Sequence, residues 1–231
     1  MSHQLVRLPE GREVSIAPEA LDRLSCGIVI LDPVEVFENP AVAEATKQLA
    51  IDLKARYEGF LPSEIEGLAE ARKLYKSFGV DPSRYRPSSE ALLRRVIKGN
   101  DLYQINNAVD SCNLACLKFL LPVGMYDLDL VLGDVCLRSG LPGESYPGIR
   151  KGEVNLSGRL GLFDQEGPFG SPTSDSARTC VTENTKRILA VIMATSNYPE
   201  SQMNTSISTF ADLFSDHCKG TEFFRATLGG D

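Results

Sequence analysis

Two polar side chains lie about one turn apart on a helix that is otherwise apolar. The helix is predicted over residues 107–121, and on its wheel Asn113 and Asp110 fall at about 40° and about 100° from Val109, on an apolar face. Burying an amide or a carboxylate without a partner costs several kcal/mol, so each needs a fixed partner or a wet pocket. Either Asp110 caps the helix and Asn113 bonds a neighbouring loop, or both side chains line a ligand pocket.

The sequence lacks the common signatures of nucleotide, zinc-protease and serine-hydrolase chemistry. It contains no GxxxxGK[ST] motif, no GxGxxG after a predicted strand, no HExxH and no GxSxG. The six cysteines are scattered through mostly apolar stretches without a C-x-x-C pair, which predicts reduced core thiols. His3, near the start of the chain, and His217, in the last turn of a predicted helix, are poor candidates for a general base. We therefore predict no metal and no cofactor.

Positive charge is concentrated in one segment of an acidic chain. The net charge of the protein is −7, yet residues 72–98 carry eight basic and two acidic side chains. A local positive surface can attract a polyanion even on an acidic protein. The alternative is a solvated helix face. The candidate nucleic-acid contacts in this segment are Arg84, Arg86, Arg94, Arg95 and Lys98.

Hydrophobic periodicity predicts an α+β protein. Helices are predicted at about 40–57, 63–78, 88–99, 107–121 and 205–219, with Ser88 or Ser89 capping the third helix through its hydroxyl. Strands are predicted at 14–16, within 26–37, and at 126–132, 133–138, 153–156, 160–163 and 186–193. Helices concentrate in the first half and after residue 204, with strands between them. This order indicates layers of helices and sheets rather than regular βαβ alternation.

Composition is that of an ordinary globular protein. The chain has 231 residues, of which 42% are hydrophobic, enough to bury a core. No apolar run approaches the roughly 20 residues of a membrane span, and the first residues lack the apolar core of a signal peptide. We therefore expect a cytoplasmic protein without a membrane partner. The sequence predicts no particular oligomeric state.

Residues 105–129, INNAVDSCNLACLKFLLPVGMYDLD, resemble the B3/B4 region of the phenylalanyl-tRNA synthetase β subunit. The family pattern is close to P-I-N-N-V-V-D-x-T-N-Y followed by P-L-H-A-F-D, and the matching positions are Asn106, Asn107, Val109, Asp110, Asn113, Pro122, Tyr126 and Asp127. The flanking RYRPSSEALLRRVIKG and TSDSARTCVTENTKRILAV also resemble stand-alone members. The resemblance implies mixed or antiparallel sheets flanked by helices. It also implies a single domain over 1–231, with a core at about 70–195 and flanks, 1–69 and 196–231, packed on it.

In that family the region is an editing domain, which hydrolyses a mischarged amino acid from tRNA. The resemblance places the family's pocket Thr, Asn, His and Glu at Cys112, Asn113, Gly124 and Val191. Only the Asn is retained. Hydrolysis by a positioned water needs hydrogen-bonding groups around the ester, and one good oxyanion donor is worth roughly 3 kcal/mol. The loss of three polar groups either abolishes the reaction or moves it to other residues.

The 173–179 loop is where replacement groups are expected. It is rich in hydroxyls and carries one carboxylate and one guanidinium. Arg178 is expected to bind a substrate carboxylate or a tRNA phosphate, and Asp175 with Ser174 or Thr179 to orient a water or an α-amino group. The alternative is a solvated surface loop.

Two functional hypotheses follow from these residues. In the first, the protein binds aminoacyl-tRNA and hydrolyses its ester in trans, and the catalytic residues are Asn113, Asp175 and Thr179. The pocket is then lined by Asn107, Asp110, Tyr126, Ser174 and Arg178, and the basic residues of 72–98 hold the tRNA backbone. In the second, the protein is a non-catalytic module that binds tRNA or an amino-acid-like small molecule. An unrelated metabolic enzyme on the same scaffold is a third alternative.

Overall fold

The computed structural model describes residues 4–149 and 152–230. In these ranges the chain forms helices α1 (Pro40–Tyr57), α2 (Glu66–Ser77), α3 (Ser88–Ile97), α4 (Asn107–Phe119) and α5 (Glu200–Cys218). The first six strands are β1 (Leu5–Arg7), β2 (Glu13–Ile16), β3 (Ser25–Leu31), β4 (Val123–Asp127), β5 (Val135–Ser139) and β6 (Ser145–Gly148). They are followed by β7 (Gly152–Asn155), β8 (Leu160–Asp164), β9 (Gly167–Ser171), β10 (Ser174–Asp175), β11 (Ile188–Ala194) and β12 (Glu222–Gly229).

The strands form two main sheets and a separate hairpin. The four-stranded sheet has the order β12-β3-β11-β4, and all neighbours in it are antiparallel. The six-stranded sheet has the order β1-β2-β5-β8-β9-β10 and is mixed, because β2 and β5 are parallel. β6 and β7 pair as a hairpin. The predicted α+β class with mixed and antiparallel sheets is confirmed.

The four-stranded sheet is buried on both faces, as β11 shows. One set of its residues packs in the core that contains α4 and α5, namely Ile188, Ala190 and Ile192. The alternate set packs against the six-stranded sheet, namely Leu189, Val191 and Met193. The molecule therefore has three layers in the order helices, four-stranded sheet, six-stranded sheet. A strand that is buried on both faces has a continuous apolar sequence, which is why the strand at 186–193 is predictable from the sequence.

Helix α4 is enclosed by other elements, as its apolar sequence predicts. Residues such as Leu114 and Ala115 face the four-stranded sheet and α5, whereas Leu117 and Leu120 pack with residues of α1, α2 and α3. The helix starts where the side chain of Asn106 accepts the backbone N–H of Val109 at 2.9 Å. The apolar positions of α4 are therefore covered by packed elements, whereas Lys118, near its end, is exposed.

Some predicted elements differ from the observed ones. Pro87 is the N-cap of α3, and neither the Ser88 nor the Ser89 hydroxyl has a hydrogen-bond partner among the described residues, so the predicted hydroxyl cap is wrong. The predicted strand at 126–132 ends at Asp127, because Leu128–Leu130 form a 3-10 turn in which the backbone N–H of Asp129 donates to the Asp127 carboxylate at 3.0 Å. Helix α5 begins five residues earlier than predicted, directly after Pro199.

The segments that flank the predicted core contribute to the central sheet. β3, which comes from the first seventy residues, lies between β11 and β12, and β12 comes from the end of the chain. Among the described residues, no helix combines the length and the apolar character that crossing a membrane requires.

Candidate functional site

The two polar residues of α4 line a cavity of about 490 Å³ between α1, α3 and α4. Asp110 is buried, and its carboxylate accepts the backbone N–H of Ile105 at 3.1 Å. Burial raises the pKa of Asp110, and the bond from Ile105 only partly opposes that rise. Asn113 is half-buried, and its side chain makes no hydrogen bond to the described residues. Asp110 thus supports the start of α4, while Asn113 offers an uncommitted amide to the cavity.

The walls of this α4 cavity add positive charge and an aromatic ring. Helix α1 contributes Lys47 and Lys54, and the loop after α3 contributes Tyr103. The Tyr103 side chain is 71% exposed, and the Arg95 guanidinium lies 4.3 Å from its ring centroid. The cavity therefore has hydrogen-bonding groups from α4, two ammonium groups from α1, and an exposed aromatic surface stacked on a cation.

Asn107 holds the fold together and does not line this cavity. Its side-chain N–H groups donate to the carbonyls of Glu35 and His217 at 2.8 and 2.9 Å, and its side-chain oxygen accepts the backbone N–H of Phe37 at 2.8 Å. The residue is fully buried. This corrects its expected role in substrate binding, because the amide is already bonded to two distant segments.

Tyr126 lies between the two sheets. Its hydroxyl occupies the space between two glycines: a Cβ on Gly124 would lie 2.2 Å from the oxygen, and a Cβ on Gly170 would lie 2.1 Å from it. The ring packs edge-on against Phe169. The hydroxyl has no hydrogen bond of normal geometry within the described residues and faces Asp175. Tyr126 therefore belongs to the intersheet core, which corrects its expected place beside Asn113.

Asp175 lies in β10, along the free edge of β4. Its carboxylate faces the Met125 backbone N–H and the Tyr126 hydroxyl. It is also close enough to Cys112 of α4 for its negative charge to contribute to the raised pKa of that thiol. Burial raises the pKa of Asp175 to about 7, although the Tyr126 hydroxyl and the Met125 N–H oppose the rise. A carboxyl group that titrates near neutrality has the proton affinity that general-base chemistry requires.

The rest of the 173–179 loop is engaged in structural contacts. Arg178 binds Asp164 through two hydrogen bonds of 3.0 and 2.8 Å and also donates to the carbonyl of Leu130. Thr179 is fully buried, and its hydroxyl bonds the Ser176 hydroxyl at 3.2 Å. These contacts correct the expected substrate-binding role of Arg178 and the expected catalytic role of Thr179, since both side chains are already satisfied.

The predicted catalytic residues do not form one cluster. Asn113 lines the α4 cavity, Asp175 lies at the edge of β4, and Thr179 is buried in the 173–179 loop. Ser174, which is predicted to bind substrate, lines a separate cavity of about 330 Å³. On α4, Asn113 and Cys112 point about 100° apart. The described chain therefore offers an amide and a carboxylate at separate places.

The basic segment is organised around one buried carboxylate. Glu90 of α3 is 1% exposed and lies 2.8 Å from Arg72, 3.2 Å from Arg94 and 3.6 Å from Arg86. One negative charge thus offsets part of the positive charge and fixes the positions of these guanidinium groups. Arg84, Arg86, Arg94 and Lys98 are exposed, and Arg95 is half-buried against Tyr103.

Comparison with known families identifies this architecture. The sequence model of the B3/4 domain matches residues 70–214, which is more than half of the chain. The chain belongs to the B3/4 domain family. The predicted resemblance is confirmed by this match.

Solved structures include one with a similar fold to this B3/4 chain. It is an N-terminal fragment of the phenylalanyl-tRNA synthetase β-subunit from Pyrococcus horikoshii, with 11% sequence identity and a TM-score of 0.49. The match covers 98% of this chain and 56% of that fragment, so the B3/4 chain spans little more than half of its length. No curated protein sequence matches the chain.

The two positions that the resemblance assigns to the family's His and Glu are neighbours in this B3/4 domain. Gly124 and Val191, which stand in place of the family's His and Glu, are direct partners in the β4–β11 ladder. Neither side chain can titrate or hydrogen-bond. The Tyr126 hydroxyl fills the space beside Gly124, and the nearest ionisable group is Asp175. Asp175 is therefore the carboxylate beside this position.

Sequence reasoning missed four residues of the candidate site and its surroundings. Lys47, Lys54 and Tyr103 line the α4 cavity, and Glu90 organises the basic segment. The spacing of seven between the two lysines places them on one face of α1, which was the available signal. Their proximity to α4 depends on the tertiary packing of α1, which periodicity does not give.

Proposed function

We propose that this B3/4 protein binds aminoacyl-tRNA and takes the aminoacyl-adenosine end into the α4 cavity. The observation that carries the proposal is the pairing of Asp110 and Asn113 in a cavity of about 490 Å³, next to two lysines and an exposed tyrosine. Cavities of this size with a few convergent polar groups are typical of small-molecule sites.

Each part of an aminoacyl-adenosine end has a matching group in the cavity. The α-ammonium group pairs with the Asp110 carboxylate, and the Asn113 amide hydrogen-bonds the ester. Lys47 and Lys54 neutralise the terminal phosphate. The exposed Tyr103 ring, stacked on Arg95, offers a surface for the adenine base.

The basic segment extends this arrangement toward the tRNA backbone. The cavity is lined by Val96, Gly99 and Asn100, at the end of α3. Arg94, Arg95 and Lys98 therefore lie on the helix turn next to its mouth. Basic side chains so placed favour phosphate contacts beyond the terminal nucleotide.

A binding assay tests this proposal. We expect the protein to bind tRNA that carries an amide-linked, non-hydrolysable amino acid more tightly than deacylated tRNA in a fluorescence anisotropy titration. Asp110→Asn should remove roughly a tenfold preference, because it deletes the charge that pairs with the ammonium group. Lys118→Ala, an exposed change on the same helix, serves as the control. Equal affinity for the two tRNAs in the wild-type protein contradicts the proposal.

A second candidate function, hydrolysis of the ester, is favoured by the pKa of Asp175. In this reaction the carboxylate accepts a proton from water while the water oxygen attacks the ester carbonyl carbon. The resulting carboxyl group then returns a proton to the ribose oxygen as the bond between that oxygen and the carbonyl carbon breaks. We expect the rate to rise with pH through about 7 as Asp175 ionises.

A panel of mischarged tRNAs separates the two functions. Amino-acid release that disappears in Asp175→Asn supports hydrolysis. Binding without release identifies a non-catalytic module, and release that is unchanged in Asp175→Asn contradicts the role given to this carboxylate.

A further inference from the structure

A second cavity, of about 330 Å³, lies between α2, the loop that leads from α2 to α3, and the segment from β7 to β8. None of its lining residues lines the α4 cavity. Its walls are largely apolar and are formed by Leu74, Phe78, Val80, Val154, Leu156 and Leu160. A molecule with an apolar body is the ligand that such walls favour.

Hydroxyl groups on one side of this second cavity are mostly paired with each other. Tyr75 and Thr173 share a hydrogen bond of 2.9 Å, and the Ser171 hydroxyl bonds Tyr146 at 2.9 Å. These pairs give the cavity a fixed shape, because their partners come from three separate parts of the chain. They leave little unmet hydrogen-bonding capacity for a strongly polar ligand.

One guanidinium at this cavity contacts Tyr85 but has no carboxylate partner among the described residues. The Arg159 guanidinium is half-buried, lies 3.9 Å from the Tyr85 ring centroid, and forms no ion pair with a carboxylate of the described residues. The Arg84 guanidinium lies 5.4 Å from the centroid of the same ring. Arg159 and then Arg84 lower the pKa of Tyr85, which indicates a positive potential here. A guanidinium held flat against a ring is well placed to bind a carboxylate with two hydrogen bonds.

The cavity also carries one negative group, Glu153, which is exposed and forms no ion pair with the described residues. Because it is exposed, its charge is screened by solvent more than that of the half-buried Arg159. The charge selection of the cavity therefore depends on Arg159.

We infer that this second cavity binds a small monocarboxylate with an aromatic or branched apolar body. The apolar group lies among Leu74, Phe78 and Leu160, and the carboxylate meets Arg159. The inference is independent of the proposed function, since it concerns other residues.

Calorimetric titration with 3-phenylpropionate, its neutral amide and phenethylamine tests the inference. The acid should bind, and the amide should bind at least roughly tenfold more weakly because it lacks the negative charge that pairs with Arg159. Arg159→Gln should weaken binding of the acid to a similar degree. Arg56→Gln removes a comparable guanidinium that stacks on Tyr57, and it should leave the affinity unchanged.

Three results would overturn this inference. They are absence of binding by the acid, equal binding of the acid and the amide, and tighter binding of the amine than of the acid. The last result would show that Glu153, and not Arg159, determines which ligand charge the cavity prefers. A further variant guards against a folding defect in Arg159→Gln, which circular dichroism would reveal. Val80→Trp fills the cavity from a half-buried position and should abolish binding of the acid, and unchanged affinity in that variant would equally overturn the inference.

Discussion

The carboxyl group of Asp175 is the titratable group on which the pH dependence of the protein can be tested most simply. Its pKa is raised from 3.8 to about 7 in the folded protein. Between these values the folded state holds a proton that the unfolded state has lost, so stability falls as the pH rises through that window. The carboxylate thus costs folding free energy at neutral and higher pH, which is a common property of functional groups.

Asp175→Asn should stabilise the protein in a pH-dependent manner. The gain in the free energy of unfolding should be at most about 4 kcal/mol at pH 8 and close to zero at pH 3, where the wild-type carboxyl is largely protonated in both states. Urea unfolding at the two pH values measures it. A difference between variant and wild type that does not change with pH would show that Asp175 is not held protonated.

Asn107→Ala tests the structural role given to that residue. The change removes three hydrogen bonds that join a fully buried amide to the backbone of Glu35, Phe37 and His217, which should cost about 2–4 kcal/mol in urea unfolding. The exposed Asn184→Ala is the matched control. The affinity of the folded variant for tRNA should be unchanged, and a loss of affinity without a loss of stability would restore Asn107 to the binding site.

The helical wheel predicted the α4 pair but not its neighbours. Asp110 and Asn113 could be selected because they interrupt an apolar face, which is a local property of the sequence. The bonding of Asn107 could not be predicted, since its partners lie about 70 and 110 positions away along the chain. For the same reason, the pair that Arg178 forms with Asp164 was not predictable.

At the scale of elements, α3 presents cations that are held by Glu90 and by Tyr103. Ion pairs to a buried carboxylate restrict the arginines and so lower the entropy lost on binding. The Glu90 carboxylate offsets part of the positive charge of this segment, yet it also holds the guanidinium groups in positions where they can contact phosphates.

Arg94→Ala combined with Arg95→Ala should lower tRNA affinity to a similar extent for every tRNA sequence. Each lost phosphate contact reduces the slope of log affinity against log salt by about 0.7 to 0.9, so the double change should reduce it by roughly 1.4 to 1.8. The exposed pair Lys73→Ala with Lys76→Ala on α2 is the control. An unchanged salt slope in the α3 variant would exclude this helix from the tRNA interface.

Elements with a strong periodic signal were predicted well. Helices α1, α3 and α4 begin at the predicted residues, since proline or a capping residue precedes each of them. Strand β12 was not predicted, because it is an edge strand whose residues are largely part-exposed and whose partner β3 lies about 190 residues away.

At the scale of the whole molecule, the candidate site depends on how a flanking helix packs. Helix α1 comes from the first seventy residues, outside the region that the family pattern covers, and yet it closes the cavity beside α4. The site could therefore be predicted in part, from the α4 residues, but not as a cavity. The cavity forms only because α1 packs beside α4, and the sequence pattern of α1 does not predict that contact.

The most direct test of the central claim is calorimetric titration of the protein with a 3′-amide-linked aminoacyl-adenosine 5′-phosphate, a fragment that contains the ammonium, acyl, adenine and phosphate groups assigned to the α4 cavity. We expect one binding site in the wild-type protein and an affinity about tenfold weaker in Asp110→Asn. Arg159→Gln, which alters the other cavity, should leave the affinity unchanged. Absence of binding, or an affinity that Asp110→Asn leaves unchanged, would contradict the central claim.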